Sequence, residues 1–422
     1  MPISSLSRRE RKSHTKSFTG CSMCKRRHMR CDENFPQCQN CTKHKVTCPY
    51  QGIDSQGKPL HRNLRRNTLL GRFSESLPGR PWSPEMLANV RQWKRTGVMP
   101  KGADCIRVTL QPQLYSQDDL CFVFQAASNQ HKLITMGLSK LTVISSYLPS
   151  FLPIISSSRL AMNGFLALSA HQVASVTQSQ YARQKKYKYQ ELTIQDLRKC
   201  IAGFKKEHVG EALVASMVLL WLCEDVPTRK TLTDGILAIL DTCQSIGHQP
   251  EFYHMIAHTA SKPECGKLNG LQYTIVEMKK FQKVLEEQQP EDDTTRQLQL
   301  LIALAEDLAR LEPSTPADKQ LELIQLLRGC NLWLPLNGLL SRRDHWSTLM
   351  INAYLYTVTL YASGQTSQAS MIDQGVDLPS LLDETLQRIA LIGPHAELLN
   401  NLIAIVSPLP IGTGSGSAFM YS

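Results

Sequence analysis

Six cysteines near the start of the chain, Cys21, Cys24, Cys31, Cys38, Cys41 and Cys48, are spaced C-x2-C-x6-C-x6-C-x2-C-x6-C. The pattern is one unit, C-x2-C-x6-C, written twice with six residues between the copies. Thiolate is a soft ligand that favours Zn²⁺ in a tetrahedral site. Two tetrahedral metals need eight bonds, and four terminal plus two bridging sulfurs supply them. By symmetry the first cysteine of each unit, Cys21 and Cys38, is the natural bridge. The x2 spacing lets two sulfurs meet one metal from a tight turn. The x6 spacing leaves room for a short helix that starts at the second cysteine and returns the chain for the third. Lys25, Arg26, Arg27, His28 and Arg30 fill the first x6 gap, so the metal loop carries a basic stripe suited to nucleic acid.

A disulfide framework is the other use of such a set. It needs an oxidising compartment, and the first twenty residues are polar and basic with no apolar signal stretch. We therefore expect reduced thiols. Cys105, Cys121, Cys200, Cys223, Cys243, Cys265 and Cys330 are scattered and read as packed thiols. His14, His28 and His44 are not needed as ligands, because six thiolates complete the site.

The segment His14-Thr15-Lys16-Ser17, Gly20-Cys21, Cys24-Lys25-Arg26-Arg27, Arg30-Cys31-Asp32-Glu33, Pro36 and Cys38 resembles the fungal binuclear zinc-cluster (Zn2Cys6) transcription factors. Within them it is most similar to the sterol-uptake-control type. The resemblance covers about residues 14–50. It implies a helix whose N-terminal end enters the major groove over a CGG-type triplet of double-stranded DNA. Arginine suits that task, because its planar fork matches guanine O6 and N7. By alignment to the family motif, Arg27 and His28 are the base-reading positions. Lys25, Arg26 and Arg30 read as phosphate clamps that set register, and Lys43 matches a phosphate-contact position of the second unit. His28 departs from the Lys or Arg usual there and supplies little charge.

The basic character is local. Residues 1–100 hold 20 Lys+Arg against 6 Asp+Glu, a net of +14, whereas the whole chain is +11, so residues 101–422 are net −3. Attraction to phosphates is thus concentrated on one module. Arg8, Arg9, Arg11 and Lys12 also read as a nuclear-import signal, which places the protein in the nucleus. We expect a basic arm over 1–18, the zinc module over 19–50 and a linker over 51–110. An all-α regulatory domain over 111–410 and a flexible tail over 411–422 follow. No heptad follows the cluster, so a homodimer would have to form elsewhere.

Beyond residue 110 the apolar pattern has helical period. Helices are expected at 158–174, 178–203, 208–224, 229–245, 272–288, 293–311, 316–329, 345–363, 379–391 and 395–406, with no alternating β run. The run Ala212–Cys223 is apolar nearly all round and should be central. Pro149, Pro153 and many serines break up residues 141–170, so no membrane span is expected. The landmarks Phe165–His171 and Ala212–Trp221 are similar in style to the helical regulatory domain of the sterol-uptake-control group. That resemblance implies a sterol or other apolar ligand, with Leu166, Met217, Leu220 and Trp221 as candidate pocket walls. A helical core filled by these same side chains is the simpler alternative.

The remaining motifs are weak. His254 and His258 lie four apart with no further ligand evident, and Gly412–Ser417 is a poor phosphate loop. No nucleophile elbow or P-loop is present, and we read the chain as a non-enzyme. The fold class expected is mainly α: a small zinc cluster with two short helices, a linker and a large all-α domain. The function expected is sequence-specific DNA binding that regulates RNA polymerase II transcription through contacts with the transcription machinery, with two structural zinc ions per chain. The rival readings are a sterol- or lipid-sensing receptor whose helical domain controls the DNA module, and a zinc-held protein–protein adaptor.

Overall fold

The computed structural model describes residues 22–29, 39–44, 46, 81–103, 110–203, 205–245, 247, 253, 270–288, 293–312, 314–341, 345–363, 377–392 and 396–407. The chain divides into two compact units, Met1–Arg65 and Arg66–Ser422. Every regular element among the described residues is helical. The first unit holds α1 (Ser22–Arg26) and α2 (Gln39–Lys43).

The second unit opens with α3 (Pro84–Thr96), inside the stretch expected to be linker. Its signals were local and legible. Ser83 caps it by accepting from the Met86 amide at 3.1 Å, Pro84 stands in its first turn, and Gly97 ends it at φ 75°. Val90 and Trp93 form its buried face. Two more helices beyond residue 110 were not delimited from the sequence, α4 (Gln117–Thr135) and α5 (Val143–Ser157). Helix α4 starts at a capping box of Ser116 and Asp119.

The expected helices then appear within a few residues of their ends: α6 (Arg159–Thr177), α7 (Gln180–Ala202), α8 (Val209–Leu222), α9 (Val226–Ser245), α10 (Gly270–Gln288) and α11 (Asp293–Ala309). They are followed by α12 (Ala317–Ser341), α13 (His345–Ser363), α14 (Leu378–Ile392) and α15 (Ala396–Val406). The exception is α12, expected to stop at 329, which runs on through Pro335.

Two helices act as cores for their neighbours. Helix α6 is buried from Leu160 to Ser175 except at His171, and α4, α5, α7 and α8 pack around it. Helix α13 is buried from Trp346 to Ala362 and is surrounded by α10, α11, α12 and α14. Neither needs an amphipathic stripe, because neither has a solvent face. Helix α12 touches members of both groups and joins them into one core. No helix among the described residues is long and apolar enough to cross a membrane.

Candidate DNA-binding zinc module

The doubling read in the sequence is also written in the backbone. The Met29 amide donates to the Cys24 carbonyl at 3.0 Å, and the Arg27 amide to the Met23 carbonyl at 3.1 Å. In the second unit the Val46 amide donates to the Cys41 carbonyl at 3.0 Å, and the His44 amide to the Asn40 carbonyl at 3.1 Å. Each residue of the second set stands 17 positions after its counterpart, as Cys41 does after Cys24. The two helices touch one another.

Cys24 and Cys41 are each 2% exposed, while Arg26, Arg27, His28, Thr42, Lys43 and His44 around them are exposed. Helices of five residues do not hold together alone in water, and a five-residue helix offers no apolar face to bury. What these two helices bury instead is sulfur. Paired, sequestered thiol side chains at matched positions fit a soft tetrahedral cation such as zinc. Cys21, Cys31, Cys38 and Cys48 lie outside the described residues, as do Arg30 and Lys45; α1 includes Lys25.

One expectation is corrected here. Helix α1 does not start after Cys24; it begins at Ser22, inside the first C-x2-C. It ends at Arg26, so the basic run sits at the C-terminal end of the helix and in the turn that follows, not at its N-terminal end. The physical reason is the chain reversal. A bond from Met29 back to Cys24 requires the intervening residue His28 to turn left-handed, and its φ is 53°. Histidine enters that region more readily than most side chains. Cationic side chains also complement the negative end of the helix dipole. Arg26, Arg27 and His28 are therefore exposed at the end of α1 and in the turn after it, two to four residues beyond the buried Cys24, and exposed Lys43 ends α2 in the corresponding place.

With that geometry in view, comparison with known proteins is decisive for this unit. Residues 19–56 match the model of the fungal Zn(2)-Cys(6) binuclear cluster domain. This unit is a binuclear zinc-cluster domain. Such a domain holds two zinc ions, and their role is structural. The chain is 52% identical over 48 residues to Sterol uptake control protein 2 of Candida albicans, covering 11% of this chain and 7% of that protein. It is 47% identical over 51 residues to Sterol uptake control protein 2 of Saccharomyces cerevisiae, covering 12% and 6%. A Zn(2)-C6 fungal-type transcription factor of Gibberella zeae is 50% identical over 44 residues, covering 10% and 9%. The matched stretch is thus less than a tenth of each of these relatives. No solved structure matches.

In the helical unit the four candidate pocket residues, Leu166 on α6 and Met217, Leu220 and Trp221 on α8, are all buried in the core. Trp221 is held by Tyr147 and Phe151 of α5, with ring centroids 5.5 and 6.0 Å away. The cavity beside α6 has about 30 Å³ of accessible volume and is lined by the neighbouring residues Phe165, Leu168, Ser169 and Gln172, with Trp333 of α12. That is room for a single water, against the hundreds of Å³ of a small-molecule pocket.

Proposed function

We propose that this chain is a nuclear, sequence-specific DNA-binding regulator of RNA polymerase II transcription, and not an enzyme. In this reading Cys21, Cys24, Cys31, Cys38, Cys41 and Cys48 hold two zinc ions, with Cys21 and Cys38 as the bridges. Arg27 and His28 face the base edges of a CGG-type triplet. Lys25, Arg26, Arg30 and Lys43 hold the phosphates, which fixes register before any base is read. The helical unit serves as the regulatory part and contacts the transcription machinery or a second copy of the chain.

The observation that carries the reading is the exposed run Arg26-Arg27-His28 directly following the buried Cys24 in the chain. A bidentate arginine contact is selective only on a rigid support, and a metal-held turn is one way to supply it. Two relatives are named for sterol uptake control, but the likeness to them covers no more than 12% of this chain. So short a stretch carries no ligand over, and the water-sized cavity gives no separate support to a sterol ligand.

The test is fluorescence anisotropy of the zinc-loaded chain on a CGG-bearing duplex and on a scrambled one, at near-physiological salt, repeated after chelation. Low salt is avoided because it inflates non-specific binding. Preferential binding that chelation abolishes is the expected result. Equal affinity for both duplexes would remove the CGG assignment. No binding to either would favour a zinc-held adaptor.

A further inference from the structure

The turn between α7 and α8 brings together three side chains that the zinc cluster does not use. Cys200 stands in the last turn of α7, Glu211 in the first turn of α8, and His208 ends the short 3-10 turn Lys206–His208 between them. One ligand atom from each, a thiol sulfur, a carboxylate oxygen and a ring nitrogen, lies within 4.8 Å of the other two. The Cys200 Sγ is 3.9 Å from Glu211 Oε1. Sulfur and oxygen on one tetrahedral zinc are about 3.5 Å apart, given bonds of about 2.3 and 2.0 Å. The closing movement needed is therefore about half an ångström there and at most about 1.5 Å for the histidine.

Two further features point to a ligand. The Nδ1 of His208 is buried and has no hydrogen-bond partner, although buried polar atoms are nearly always satisfied. His208 also stands where α8 would take a capping side chain, yet it makes no capping bond. Meanwhile the Ser158 hydroxyl donates to Glu211 Oε2. That bond fixes the carboxylate and leaves Oε1 on the cysteine side, as an outer partner does for a metal ligand.

We infer that Cys200, His208 and Glu211 form a zinc site in the helical unit, separate from the binuclear cluster. A sulfur, nitrogen and oxygen set is too soft for magnesium or calcium and suits zinc. Three protein ligands leave the fourth position open. It faces a cleft of about 310 Å³ lined by Arg159, Asp196, Lys199, Cys200 and Glu211. Lys199 is paired with Asp196 at 3.1 Å in that cleft, so a water is the natural fourth ligand. Bound zinc ties the end of α7 to the start of α8, and α8 is central to the core, so occupancy stiffens the helical unit.

The test is zinc stoichiometry of the full chain, by elemental analysis after dialysis against a weak competing chelator. The wild type is expected to carry one ion more than the two of the cluster. Cys200→Ser and His208→Gln should each lose that one ion and keep the cluster pair. Cys24→Ala should do the reverse, losing cluster metal and keeping the ion at α7–α8. His208 is only half-buried, so His208→Gln keeps the test alive if Cys200→Ser does not fold. Cobalt substitution gives a second readout, because thiolate-to-cobalt absorption should fall in Cys200→Ser. A wild type with the cluster pair alone, or a His208→Gln chain that keeps the additional ion, overturns the site.

Discussion

The carbonyl of Cys24 and the carbonyl of Cys41 receive their hydrogen bonds in the same way, each from the amide five residues on and each at 3.0 Å. The two thiols are equally buried. Neither helix outranks the other in holding metal, which gives a symmetric expectation. Cys24→Ala and Cys41→Ala should lower zinc content alike and abolish specific DNA binding alike. The thermal transition of the helical unit should stay unchanged, because the cluster folds on metal rather than on the α core. Zinc release and far-UV circular dichroism of the two variants would check this, and a fall in α content of the body in either variant would count against it.

Arg27 and Lys43 are both exposed, and the proposed roles separate them. Arg27→Ala should cost about 1–3 kcal/mol on the CGG duplex and relax base preference. Lys43→Ala should weaken specific and random duplexes equally and reduce the salt slope by about one. Anisotropy titrations at several salt concentrations distinguish them. If Arg27→Ala costs the same on both duplexes, Arg27 is a phosphate contact instead.

His28 is left-handed at φ 53°. A β-branched residue there should destabilise the cluster, since the left-handed region costs an L side chain about 1–2 kcal/mol. His28→Val is therefore expected to release zinc at lower chelator concentration than wild type. His28→Gly should hold zinc at least as well while losing base discrimination. A His28→Val chain as resistant to chelation as wild type would show that the turn is not limiting.

Arg328 on α12 is 5% exposed, and its guanidinium donates to the Leu220 carbonyl at 2.9 Å and the Cys223 carbonyl at 3.4 Å. It satisfies the end of α8 from more than a hundred residues away. Arg328→Met keeps much of the volume but strips the Cys223 carbonyl of its guanidinium donor and leaves the Leu220 carbonyl only the Cys223 amide at 3.4 Å, and should lower stability by about 2–3 kcal/mol. Urea unfolding followed by circular dichroism measures this, with zinc content of the cluster as the unchanged control.

Burial and the neighbouring Glu211 push the Cys200 thiol up to about 11. Both effects disfavour the thiolate, so its fraction at pH 8 falls well below that of an ordinary cysteine. In metal-free protein, alkylation of Cys200 by iodoacetamide should run roughly a hundredfold slower than that of a free thiol near 8.5–9. Its rate should keep rising through pH 10. Peptide mass spectrometry of timed samples follows it, and a plateau near pH 9 would mean that the sulfur is neither buried nor faced by Glu211.

The zinc module and most of the helices were legible in the residues alone. Six thiols at fixed spacing admit few chemistries, and ten helical runs announced themselves through apolar period and flanking prolines. The sequence did not determine where α1 begins and ends, because that depends on the left-handed turn at His28, which no pattern of residue types encodes. Nor did it delimit α5, where Pro149 and Pro153 argue against a helix. Both prolines lie on the exposed side. Pro149 has no amide to give the carbonyl four residues back, that of Ser145, and Gln130 of α4 donates to it at 3.3 Å instead. A partner from another helix repairs what the local sequence forbids. Cys200, His208 and Glu211 were equally invisible in sequence, read as one packed thiol among several. Periodicity and ligand spacing are local properties of a chain; the meeting of Cys200, His208 and Glu211 depends on how the turn between α7 and α8 is shaped, and a borrowed hydrogen bond exists only once distant segments have packed.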